Sequence, residues 1–312
     1  MKKIFSVSAL LFLVILFYET GTAATINVDQ TGTGNYTTIQ EAVNNAANGD
    51  IIKVAPGFYR ESVNLNKAVQ LIGAGPNFSF IDATFTTVQP TNGIDVSVSA
   101  SVYISGFTIT ASGKGINVNS DSSTTTIRNC ILSGNDIGIY SIKANCILSL
   151  INNTIVSNRA GISVSGQWNS SIYIKGNIVA FNTAEAGIGL FAFSANQRML
   201  AYNCAFQNTG GNYSTGVAPG IDDISQDPKF IDKDSGNFVL ASDSPCINTG
   251  IQGVAYNDPD GTRNDIGSYS GPNAVSFWPY ASEGPVVTEL TVTPASVPRG
   301  GTVTIRAKGY AR

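Results

Sequence analysis

The chain has 312 residues, a formal net charge of −3 and 12% charged side chains, against 43% apolar residues and 32 glycines. Apolar content at that level excludes a disordered chain, and the weak negative charge makes nucleic acid and anionic membrane poor partners. Plentiful Gly, Asn, Ser and Thr suit many short strands and turns rather than a helical bundle.

The first 24 residues read as a targeting segment. Lys2 and Lys3 precede an almost wholly apolar run from Ile4 to Phe17, and Gly21-Thr22-Ala23-Ala24 supplies small residues for signal-peptidase cleavage. A transmembrane anchor is the alternative, but the run is short of the ~20 residues that span a bilayer. The expectation is a secreted protein, extracellular or at the cell surface, with no stable membrane insertion after cleavage.

Thr25 to Asp50 has a pattern unlike the repeats downstream of it. A strand leads into a Gly-rich turn, and Thr37 or Thr38 is placed to cap a short helix from about Ile39 to Ala47, with Ile39, Val43 and Ala46/Ala47 as its apolar face. Ile51 to Glu61 and Val69 to Gly75 then open the first coil of a repeat.

Self-similarity is the strongest signal. Segments beginning at Val102, Thr125, Leu148, Ile172 and Met199 align, with central apolar residues at 104, 127, 150, 174 and 201, in steps of 23, 23, 24 and 27. Each is followed by a Gly-Ile segment, at Gly115, Gly138, Gly161 and Gly187, and Gly93 fits one step earlier. Period-2 alternation makes strands. Gly106, Asn129, Asn152, Gly176 and Asn203 share one corner, where left-handed backbone is cheapest for Gly and Asn. Asn135, Asn158 and Asn182 share another. Three strands and three turns per coil, stacked ~4.8 Å apart, bury a continuous Ile/Val/Leu core with asparagine ladders at the corners. The predicted fold is therefore all-β, a right-handed parallel β-helix solenoid with an N-terminal capping helix. Leucine-rich, propeller and hexapeptide-helix repeats lack this period.

Cys130, Cys146, Cys204 and Cys246 form no CxxC pair, and the chain has no His, which argues against zinc. Buried small apolar side chains are their expected role.

Gly34-Asn-Tyr-Thr-Thr-Ile-Gln-Glu-Ala42, Gly49-Asp-Ile-Ile-Lys-Val-Ala-Pro-Gly-Phe-Tyr-Arg-Glu61, Leu71-Ile-Gly-Ala-Gly75 and Ile81-Asp82 resemble the N-terminal cap and first coil of the pectin lyase-like superfamily, and most closely the opening of pectin methylesterases. Asp227 to Asp232, Gly236 to Leu240, Ser244 to Gly250 and Asp258 to Tyr269 resemble the final coil of such extracellular bacterial proteins. The expected organisation is a signal peptide over 1–24, the β-helix over 25–272, a linker over 273–286, and over 287–312 a truncated piece of an Ig-like β module, too short to close a sandwich.

The resemblance implies a site on the outer face of the Gly-Ile sheet. The outward residues there are Asp95, Asn117, Tyr140, Ser163 and Gly189, with Lys53 placed before them and Asp222 after them. Asp95, Asn117, Tyr140 and Ser163 are the candidate substrate contacts. A glycoside hydrolase needs paired carboxylates, and Asp95 stands alone. A polysaccharide lyase needs a Lys or Arg base and usually carboxylates that hold Ca²⁺, which leaves Lys53 and Asp95 as catalytic candidates, or as an ordinary cross-strand ion pair. The downstream motifs of pectin methylesterases are absent, since Trp168 lacks a preceding arginine. Absence of His also argues against a copper protein of this fold. Asp258, Asp260 and Asp265 are candidate metal ligands without the bidentate Glu of an EF-hand, so a turn stapled by Asp side chains competes with that reading. Arg128 and Lys175, with Tyr202 following, make a solvated face or a sugar platform on another sheet. The functional expectation is contact with extracellular polysaccharide and no catalytic constellation. The alternative is a Ca²⁺-dependent, pectate-type lyase.

Overall fold

The computed structural model describes residues 23–85, 90–194, 197–280, 286–293, 302 and 304–310. The segment over 1–24 that reads as a signal peptide lies outside the described residues except for Ala23 and Ala24.

Described strands form three parallel sheets wound into a right-handed solenoid. Sheet A holds Thr25–Val28, Ile51–Val54, Gln70–Gly73, Ser101–Ser105, Thr124–Arg128, Ile147–Ile151, Ser171–Lys175 and Arg198–Ala201. Sheet B holds Gly57–Tyr59, Ser79–Asp82, Thr108–Thr110, Ile131–Ser133, Thr154–Val156, Ile178–Ala180 and Cys204–Phe206. Sheet C holds Val63–Leu65, Ile94–Val96, Lys114–Val118, Ile137–Ser141, Ala160–Ser165 and Ile188–Phe191. The six coils from Ile51 to Phe191 each contribute one strand to each sheet, Thr25–Val28 precedes them in sheet A, Arg198–Ala201 and Cys204–Phe206 begin a seventh coil, and paired strands stack equivalent residues one coil apart. Ile104, Ile127, Leu150, Ile174 and Leu200 form one core column; Ile94, Ile116, Ile139, Ile162 and Ile188 form another.

The corners carry two asparagine ladders. In one, the Oδ1 of Asn158 accepts the backbone N–H and the Nδ2 of Asn135, Asn182 does the same for Asn158, and Asn208 for Asn182. In the other, Asn153, Asn177 and Asn203 are linked alike, and Asp223 receives the last pair of bonds. Each ladder Nδ2 also donates to a carbonyl of the coil before, so buried amides satisfy buried backbone.

This register corrects the last repeat by one residue. Leu200, not Ala201, stacks on Ile174, and Ala205, not Phe206, on Val179. The left-handed corner holds Gly106, Asn129, Asn152 and Gly176 as expected, but its fifth member is Tyr202 (φ 60°), because Asn203 belongs to the ladder beside it.

At the N-terminus the helix Ile39–Asn45 covers the first coil with Ile39, Ala42 and Val43 buried. The Thr38 hydroxyl accepts from Glu41 N–H, and both Glu61 oxygens accept from Ile39 and Gln40 N–H. The helix stops short of Ala47, where Lys67 Nζ donates to the Asn44 and Ala46 carbonyls.

The coils end near Ile224, which bridges Cys204, rather than continuing to Tyr269. Residues 226–280 form a strap over the outside of sheet B, including the antiparallel pair Phe230–Asp232 and Asn237–Leu240. Phe238, Leu240, Ile266, Tyr269 and Trp278 bury the outward residues Ile131, Val156 and Ile178 in a second core. Polar bonds fix the strap: Asn129 Nδ2 donates to the carbonyls of Ser268 and Ser270, and Gly267 N–H to Gly176 O. Beyond it, Val286–Thr293 and Thr304–Tyr310 pair antiparallel. The rest of the segment expected to resemble an Ig-like module, Thr302 apart, lies outside the described residues.

Candidate functional site

Sheet C gathers most of the outward residues singled out in the sequence. Asn64, Asp95, Asn117, Tyr140, Ser163 and Gly189 stand in register, one per strand. Neighbouring strands at ~4.8 Å make this a straight column of polar groups. The Oδ1 of Asp95 accepts from Asn117 Nδ2 at 2.7 Å and from Asn92 Nδ2 at 2.9 Å, so its charge is dispersed over two amides. Lys114 Nζ sits 5.2 Å from the Tyr140 ring centroid, a cation–π contact.

The column runs into a groove of about 450 Å³ lined by Ser163, Glu185, Gly189, Phe191, Ser214 and Thr215. Gly189 leaves its floor flat and Phe191 is 49% exposed on its wall. Glu185 is tied to Arg159, which also holds Asp136.

Two assignments to this column are corrected. The residue stacked before Asp95 is Asn64; Lys53 lies on sheet A, opposite Ile72. The cause is the first coil, in which two strands follow Ile51–Val54 before the chain completes its turn, the second of them, Val63–Leu65, being the first of sheet C. Lys53 and Asp95 therefore occupy different faces of the solenoid and form neither an ion pair nor a base with its partner. Asp222 falls on a left-handed corner (φ 55°) beyond sheet A, while Tyr213 bridges Ile188 at the end of sheet C.

Asp258, Asp260 and Asp265 lie in the strap. Asp258 Oδ1 accepts the Gly271 N–H and its Oδ2 the Asp265 N–H; Asp265 Oδ1 accepts the Asn248 N–H at 2.7 Å; and Asp260 closes a turn on Thr262. Burial, then repulsion from Asp265, raises the Asp258 carboxyl to about 8, and burial raises Asp265 to about 6. These carboxylates staple backbone. Among the described residues no group of three His, Cys, Asp or Glu side chains converges on a point that would suit a metal ion.

Residues 67–225 match the family model described as the right-handed beta helix region. The chain belongs to that family. The pectin lyase-like β-helix expected from its cap and repeats is the fold this β-helix protein adopts. A comparison with curated proteins finds no match. Solved structures similar to the β-helix protein include pectate lyase Pel9A, 13% identical with a TM-score of 0.37, over 80% of this chain and 97% of that one. Two pectin methylesterases are also similar. The deglycosylated form from Aspergillus niger is 15% identical over 64% of this chain and 69% of its own, and that from carrot 16% identical over 64% and 88%, each with a TM-score of 0.31.

No described helix of the β-helix protein is long and apolar enough to cross a membrane. All four cysteines are free and buried. Sequence reasoning missed the groove around Phe191, whose walls come from three separate turns with no common motif.

Proposed function

We propose that the protein is exported and binds polysaccharide along the outer face of sheet C without cleaving it. The observation that carries this reading is the unbroken column Asn64, Asp95, Asn117, Tyr140 and Ser163 leading into the Phe191 groove. Amides and hydroxyls repeated at strand spacing match the hydroxyls of a sugar chain laid along the axis, and the Tyr140 and Phe191 rings offer apolar surface to its ring faces. Asp95 is held by two amides and its register neighbours on both sides, Asn64 and Asn117, are themselves amides, which favours holding a glycan over hydrolysing it. Lys2, Lys3 and the apolar run to Phe17 support export.

The test is affinity electrophoresis and calorimetry on a panel of neutral and acidic polysaccharides, with product analysis with and without Ca²⁺. Retention without new reducing or unsaturated ends, weakened about tenfold by Tyr140→Ala, is the expected result. Chain cleavage, or binding indifferent to both Tyr140→Ala and Ser163→Trp, would overturn it. Amino-terminal sequencing of protein recovered outside the cells tests export.

A further inference from the structure

Two of the four cysteines meet across the seam between the solenoid and its strap. The outward column of sheet B runs Ile131, Thr154, Ile178 and Cys204 in register, and the strap covers it. Cys246 comes from the strap itself. Its sulfhydryl shares a hydrogen bond with that of Cys204, and both residues are fully buried in the second core.

Each partner is fixed by its surroundings. Cys204 Sγ also reaches the carbonyl of Gln226, where the strap begins, at 3.2 Å. Cys246 N–H donates to Ser244 Oγ at 3.1 Å, its carbonyl accepts from Ile266 N–H, and Ser244 Oγ donates in turn to the Pro228 carbonyl. The other two thiols face backbone instead: Cys130 Sγ donates to the Arg128 carbonyl, and Cys146 Sγ to the carbonyls of Ser120 and Ala144. All four are free in the structure.

We propose that Cys204 and Cys246 are a disulfide site, oxidised by exchange with a small-molecule or protein disulfide, whose bond locks the strap onto the last strand of sheet B. The Cys246 thiolate attacks the donor disulfide, which forms a mixed disulfide and releases one donor thiol. Cys204 then attacks the Cys246 sulfur, closes the Cys204–Cys246 bond and releases the second. The chain gives up two electrons and two protons, and the donor disulfide takes both. Thiolate is scarce at a buried sulfur, so exchange proceeds when the strap lifts and brings Cys246 to solvent, or while the chain folds. Export, as proposed above, would supply the donor disulfides, but the site itself needs only the two sulfurs.

The lock changes how the molecule opens. With two thiols, the strap is held by its apolar contacts and a few backbone bonds and can lift apart from the coils. The disulfide closes a loop of about 40 residues and removes that freedom from the unfolded chain, which should raise the melting temperature by about 10 °C.

Thiol counting, mass spectrometry and thermal melting of the full chain test the site. Protein is first reduced and desalted, then exposed to oxidised glutathione at mildly alkaline pH, both folded and during refolding from urea. The expected product has lost two hydrogens, shows two thiols instead of four when unfolded, and yields a cross-linked peptide pair containing Cys204 and Cys246. Its melting temperature is higher by the stated amount, and dithiothreitol reverses all of these changes. Cys246→Ser and Cys204→Ala should each abolish the mass loss and the thermal shift, and Cys130→Ser should keep both. The comparison of oxidised with reduced parent protein stands even where a variant fails to fold. Four thiols after both oxidations would overturn the proposal, as would stable glutathione adducts in place of the cross-link, or a cross-link through Cys130 or Cys146.

Discussion

The side-chain oxygen of Asn158 receives two bonds from Asn135, the backbone N–H at 2.9 Å and the amide Nδ2 at 2.8 Å, while its own Nδ2 reaches the Leu132 carbonyl and Asn182. Every atom of this amide is both buried and used. Asn158→Ala would strand the Asn135 donors and a carbonyl where water does not enter, a cost of about 3 kcal/mol. Thermal unfolding is expected roughly 6–10 °C lower than in the parent. An unchanged melting temperature would mean that the ladder is decoration.

Gly138 is a second rigid requirement, and its reason is space. A Cβ there would lie 2.6 Å from the Gly161 carbonyl oxygen and 2.7 Å from Ile155 Cγ2. Gly115 and Gly161 repeat the geometry against Gly138 and Gly187. Backbone of one coil rests directly on backbone of the next. Gly138→Ala should destabilise the solenoid by about 2 kcal/mol or more, measured by denaturant titration. Gly236→Ala is a useful contrast: its Cβ meets nothing, but φ is +78°, so any loss there comes from backbone strain alone.

These two positions show why the solenoid was legible and the site less so. Gly before Ile and Asn at fixed offsets are imposed by each coil on the next, so they recur and can be counted. The first coil broke the count: Lys53 looked like a member of the Gly-Ile series because Ile52-Lys53-Val54 alternates as Ile94-Asp95-Val96 does, yet it belongs to sheet A. The strap had a legible signature that the repeat obscured. Consecutive apolar residues at Ile131-Leu132, Ile155-Val156 and Ile178-Val179-Ala180 mean strands buried on both faces, which the solenoid core alone does not explain. Residues that line a surface groove recur under no such constraint, so the Phe191 groove emerges only from the fold.

The cysteines give a chemical check on the packing. Burial pushes the Cys130 thiol up to about 12, and the neighbouring Cys204 together with burial raises Cys246. Thiolate, the reactive form, is scarce at such sites. In the folded protein none of the four thiols should react with a disulfide reagent at pH 8 within minutes, and all four should react once the chain is unfolded without reductant. Two thiols after unfolding would show that Cys204 and Cys246, which face each other between sheet B and the strap, had been oxidised.

The strap also sets a pH dependence. Asp258 and Asp265 are buried against Asn264, Gly271 and Tyr280, and both carboxyls titrate above the usual range, at about 8 and about 6. A raised folded pKa means the native state holds protons that the unfolded chain, with Asp near 3.9, has already released. The resulting stabilisation is complete below about pH 4 and is lost as pH rises through 6 and then 8. Exposed Asp29, Asp232 and Asp243 have lowered values, so their contribution changes only below about pH 4, outside that window. The melting temperature should therefore fall between about pH 5 and pH 8.5, and Asp258→Asn should flatten the upper part of that fall while lowering stability at about pH 5, because the amide replaces one of two acceptors of backbone N–H bonds. A profile that rises toward about pH 8, or one with the same slope in Asp258→Asn, would place the charge on these carboxylates in the folded state and remove their bound protons from the account of how the strap is held.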